Sequence, residues 1–238
     1  MRPPFQPTGG QAHRFTGKGR AGEPRRTLDG MGGTGAPEWL IREDASQPVL
    51  LALYLRQVLG IRSPDELPHL RGIPPRADDR RSIERSEETQ ALLERQWREY
   101  WAMTVEPTAH TSPVPLELVD GFATLVALPS EGSDVLKSAI MPYAGEALAF
   151  SQSAHERYRK DSAAKPGVSY RAYASAIAEH ERQVGRRAHS FELNVQVLPL
   201  TQRGVWWIGS LTIAVTDGLR GDVVAFDAAI HPIIAELA

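Results

Sequence analysis

The sequence predicts an α+β fold in which helices flank a small sheet, with a C-terminal antiparallel β-hairpin in that sheet followed by a C-terminal helix. Three observations carry this. "RSIERSEETQALLERQWREYWAM" (81–103) places Leu93, Trp97, Tyr100 and Thr104 on one stripe at helical spacing, with Leu92 and Trp101 beside it. "SFELNVQVLPL" and "VWWIGSLTIAV" instead alternate, putting Phe191, Leu193, Val195 and Val197 on one face and Trp207, Gly209, Leu211, Ile213 and Val215 on another. "DVVAFDAAIHPIIAELA" then returns to helical spacing through Val223, Phe226, Ile230, Ile234 and Leu237.

Taken in chain order, residues 1–36 read as a flexible basic tail rich in glycine and proline. Residues 1–29 hold six arginines or lysines against Glu23 and Asp29, and almost no aliphatic side chains, too little apolar surface to offset the entropy of ordering. The change of composition at Met31 marks it as the expected natural start. Within this stretch, Gly30, Gly32 and Gly35 match the G-x-G-x-x-G spacing of dinucleotide sites. That motif works only between a buried strand and a helix N-terminus facing the phosphates. No strand pattern precedes the glycines, and "EWLI" is too short to read as the helix that should come after them.

Residues 37–238 are expected to form a single α+β domain, helical over 37–106 and mixed over 114–238. "SQPVLLALYLRQVLG" (46–60) reads as a helix capped by Ser46 and ended by Gly60. On the solvent side of the 81–103 helix, Glu94–Arg98 and Arg95–Glu99 are spaced for i,i+4 pairing. "GFATLVALP" (121–129) reads as a buried strand. Residues 133–161 read as a helix that Pro142 kinks or restarts, and 170–186 as a helix capped by Ser169. A Gln202–Arg203–Gly204 turn would pair Leu211 with Val195, Ile213 with Leu193 and Val215 with Phe191.

Composition excludes several chemistries. The 238 residues contain no cysteine, so disulfides, thiolate nucleophiles and sulfur-bound metals are ruled out. The apolar run 204–216 is shorter than the roughly 20 residues a bilayer-spanning helix needs, and no membrane partner is predicted. A net charge of −2 and basic pairs set beside acids argue against nucleic acid. A cytoplasmic location is the expectation. There is no P-loop and no G-x-S-x-G elbow. "RGD" (220–222) reads as a turn and helix start.

Two sets of candidate site residues remain. "AHER" (154–157) and "EHER" (179–182) put His155 and His180 on two helices, and a metal held by His155, His180 and His189 with a carboxylate is one candidate centre. The helical His-x-x-x-His grip is missing, since Arg159 and Val184 stand four residues on. No organic cofactor is predicted. The other set is Leu198, Leu200, Trp206 and Ile208, an apolar cluster at the hairpin tip. Either helix 48–59 covers it, or it is a contact surface for a second copy or a protein partner. The function expected from sequence is therefore non-catalytic association; the alternative is a small-molecule enzyme with a histidine-containing site.

Overall fold

The computed structural model describes residues 11–16, 38–73, 86–164 and 168–238. The fold is α+β, built on a five-stranded mixed sheet and a separate two-stranded ribbon. The sheet holds β1 (Gln11–Thr16), β2 (Glu38–Asp44), β5 (Phe191–Leu198), β6 (Val205–Trp207) and β7 (Thr212–Thr216), in the order β1-β2-β5-β7-β6. Its three central strands, β2, β5 and β7, are parallel, and each edge strand is antiparallel to its neighbour. β3 (Leu116–Leu118) and β4 (Ala127–Pro129) make the ribbon. The helices are α1 (Gln47–Val58), α2 (Glu87–Val105), α3 (Asp134–Ile140), α4 (Ala144–Ala164), α5 (Val168–Val184), α6 (Asp217–Arg220) and α7 (Val223–Leu237).

Alternation along the strands divides the core into two layers. Trp39, Ile41, Phe191, Leu193, Val195, Val197, Ile213 and Val215 face α5 and α7 and pack against Tyr173, Ile177, Phe226, Ile230 and Ile234. The opposite face offers Leu198 and Ala214 to a larger cluster from α1, α2, α3 and α4. Trp97, fully buried on the predicted stripe of α2, donates its indole N–H to the Ala52 carbonyl of α1 at 3.1 Å and so locks the two helices together. The predicted Pro142 break also appears: a 3-10 turn, Met141–Tyr143, separates α3 from α4.

The C-terminal hairpin exists, but between other strands than expected. β6 and β7 form it around Gly209–Ser210, while β5 runs parallel to β7 and pairs Val195 with Ile213 and Val197 with Val215. The cause is tertiary. A Cβ at Gly209 would lie 2.9 Å from both Val105 Cγ1 and Glu106 Cδ, so glycine alone allows this close approach. The Glu106 carboxylate then accepts the Ser210 amide at 2.7 Å and fixes the turn. The run 205–215 is cut in two, and β7 enters between β5 and β6. Trp207, Ile213 and Val215 keep the predicted face because alternation does not depend on strand direction, while Gly209 passes into the turn and Leu211 is exposed.

Two further expectations are corrected. The segment 121–129 is a strand only over its last three residues. Gly121, at φ +83°, turns the chain back, and Phe122 and Val126 are buried from a loop. Residues 11–16, inside the expected tail, form β1 and pair with β2 from Gln11 opposite Glu43 to Thr16 opposite Glu38. Backbone pairing covers the free edge of β2 without requiring an apolar side-chain pattern. The glycines at 30–35 and Met31 lie outside the described residues; the next described element along the chain is strand β2, not a helix.

Candidate functional site

The parallel strands all end on one edge of the sheet, the edge where open α/β sheets place their ligands. A cleft of about 420 Å³ opens there. Val197 and Pro199 line it from the end of β5, and Asp217, Arg220 and Gly221 from the turn after β7. Arg71 enters from the connector after α1. The facing wall is one side of α4, where helical spacing brings Ala154, Arg157, Tyr158, Asp161 and Ala164 into a row.

Behind the Arg220 wall lies a buried ion pair. Glu43 continues the inward series Trp39–Ile41 of β2, so its carboxylate enters the α5–α7 layer only 2% exposed. Arg220 Nη2 donates to Glu43 Oε2 at 3.1 Å, and the Tyr173 hydroxyl donates to Oε1 at 2.8 Å. Burial and then the Glu43 charge push the Tyr173 phenol well above its ordinary range. Burial, reinforced by Glu43, pushes Tyr158 up to about 12. Tyr158 thus keeps its proton at neutral pH and can donate it in a hydrogen bond to a ligand oxygen.

The remaining charged groups at the cleft are committed unequally. Arg71 pairs with Asp217 at 2.8 Å. Arg157 donates to the Ser153 hydroxyl at 2.8 Å and has no carboxylate partner among the described residues. Asp161 has neither an ion-pair nor a hydrogen-bond partner among them. Three arginines and two aspartates line the cleft, and Glu43 behind Arg220 balances the third arginine, so that Arg157 and Asp161 are the two charges without an ion-pair partner among the described residues. A larger, more open cleft of about 980 Å³ is lined from α1 and the connector after it, including Arg56, Asp65 and His69, and from the first turns of α2, including Glu87, Gln90 and Glu94.

The histidines named from sequence are placed separately. His155 Nδ1 sits 2.8 Å from the Ala45 carbonyl and 3.9 Å from Asp44 Oδ1, turned away from the cleft that its neighbour Ala154 lines. His180 lies on α5 with Nε2 buried and unpartnered. His189 is exposed after α5, its backbone amide donating to the Ala238 carbonyl at 3.0 Å. Among the described residues, no group of three or more His, Asp or Glu is arranged to hold a metal ion.

The expected contact surface also changes character. Leu198, Leu200 and Ile208 are at most 6% exposed, and Trp206 packs partly buried against the same cluster. α1 supplies Leu50, Leu51 and Leu55 to that cluster, so the chain covers the segment itself. Sequence reading missed the cleft residues Arg71, Arg157, Tyr158, Asp161 and Arg220. One signal was available: a glutamate at the third inward position of Trp39–Ile41–Glu43 demands a buried cationic partner. Among the described residues no helix is long and apolar enough to cross a membrane. The chain matches no family model, no curated protein and no solved structure.

Proposed function

We propose that the protein binds a small ligand through its anionic group, a carboxylate or a phosphate ester, in the cleft at the carboxyl ends of β5 and β7. The observation that carries this is Arg157, which has no carboxylate partner among the described residues, beside the Tyr158 hydroxyl on one cleft of about 420 Å³. That volume lies within the range of small-molecule sites. Guanidinium groups favour carboxylate and phosphate because their planar fork meets two oxygens at once. Association through Leu198, Leu200, Trp206 and Ile208 loses its contact surface, since those side chains pack into the protein's own core.

Isothermal titration with citrate and with inorganic phosphate tests this. The expected result is binding that weakens with added salt and falls at least tenfold in Arg157→Ala. Arg157 is solvent-exposed and donates only to Ser153, so its removal should leave the melting temperature unchanged. Binding that ignores both the salt and the substitution would refute this site.

A further inference from the structure

Arg157 and Asp161 are four residues apart on one face of α4, both line the cleft, and they do not bond to each other. An i,i+4 pair of opposite charge is normally a candidate for internal pairing. Here the cation precedes the anion, the less favourable order along a helix, and Arg157 turns back to Ser153. The cleft therefore presents one uncommitted cation and one uncommitted anion, with Cβ atoms about 6 Å apart as helix geometry requires. Every other charge on the lining already has a partner: Arg71 with Asp217, and Arg220 with Glu43. The uncharged remainder of the lining, apart from Tyr158, is small or aliphatic: Ala154, Ala164, Val197, Pro199 and Gly221.

We infer that the ligand is a compact zwitterion, an α-amino acid with a small aliphatic side chain. Its carboxylate is bound by Arg157 with the Tyr158 hydroxyl, and its ammonium by Asp161. This rests on the cleft being the binding site and adds that the site reads a positive group beside the negative one. Uncompensated charge in a cleft favours a ligand whose own charges complete both pairs, and it penalises a ligand that leaves one of them open.

The test is calorimetry on the full chain with L-alanine, L-valine and L-leucine, each beside its deaminated acid and its decarboxylated amine, with inorganic phosphate as a further probe. An amino acid is expected to bind at least tenfold more tightly than either analogue. Asp161→Asn should abolish the preference, weakening the amino acid and strengthening the deaminated acid until the two bind alike. Arg157→Ala should weaken the amino acid and the acid together. If the deaminated acid or phosphate binds as tightly as the amino acid, the zwitterion inference is overturned while the anion site stands. If none of the probes binds, or binding is indifferent to both substitutions, both readings fall.

Discussion

Among the described residues two arginines are buried, and they are held in opposite ways. Arg56, on α1 and 3% exposed, donates to three backbone carbonyls: Leu67 at 3.2 Å, Arg62 at 3.1 Å and Pro64 at 2.6 Å. All three belong to the connector after its own helix. Arg220, 8% exposed, is paired with the carboxylate of Glu43, 177 residues away. The first is a local clasp that folds a loop onto the helix before it. The second joins the beginning and the end of the sheet, and its partner is charged. Carbonyl dipoles compensate a guanidinium only in part, and burial pushes the Arg56 pKa below its ordinary value, with Asp65 and Glu66 opposing the shift. A carboxylate neutralises the charge fully, but at a larger desolvation cost. An expensive long-range pair at the wall of a cleft, beside a cheap local clasp far from it, locates where the fold accommodates polar groups around its site.

The largest expected effect comes from that contrast. Glu43→Ala removes the carboxylate that accepts from both Arg220 and Tyr173 and should cost about 3–5 kcal/mol in urea unfolding. The double variant Glu43→Met with Arg220→Met removes both charges and should recover most of that loss. A single-variant loss below about 1 kcal/mol would mean that Arg220 turns into the cleft and finds water, which dissolves the distinction.

Arg56→Met should cost less, about 2 kcal/mol. Of its three acceptors only Leu67 belongs to a buried residue; Arg62 is exposed and Pro64 half-buried, so water replaces the guanidinium at two of them. The signature is local: amide exchange should accelerate over residues 61–73 and stay unchanged in β5 and β7. Exchange that rises throughout the sheet would show the clasp to be as far-reaching as the Glu43 pair.

The same division between local and distant contacts decides how much could be read in advance. Helices α1, α2, α4, α5 and α7 were legible because apolar stripes are local; the caps were not, since Ser46 makes no side-chain cap bond and α5 already begins at Val168, while Ser86 and Asp222, which the sequence reading did not name, accept the Thr89 and Ala225 amides. The shared face of Leu193, Val195, Val197, Ile213 and Val215 was legible from alternation. Strand direction was not, because it turns on Gly209 lying against Val105 and Glu106, a contact no periodicity contains. Cover for Leu198 and Ile208 was one of two open readings; both are buried in the chain's own core, in a cluster that also holds residues of α1. The cleft was wholly hidden: its lining comes from a connector, the middle of α4, the end of β5 and the turn after β7. Each of those residues, read alone, is an ordinary exposed charge or a small side chain.

Glu106 sharpens the comparison from the side of a carboxylate near solvent. Like Glu43 it makes a long-range contact, receiving the Ser210 amide at 2.7 Å and the Leu211 amide at 3.4 Å, yet it stands at the surface. Partial burial pushes its pKa up, but the Ser210 hydroxyl and amide, the Leu211 amide and His110 outweigh that and hold it below the ordinary value of 4.5. A carboxylate with a lowered folded pKa contributes stability above its unfolded value, and that contribution disappears as pH falls through the folded one. Glu106→Gln should therefore cost about 1 kcal/mol at pH 7, held to that size by solvent screening. The gap between variant and wild type should persist down to pH 4.5 and close below it. Urea titrations from pH 7 to pH 3 read this directly. A gap that stays open at the acid end would mean that Glu106 holds the β6–β7 turn by its shape and not by its charge, a long-range contact indifferent to protons.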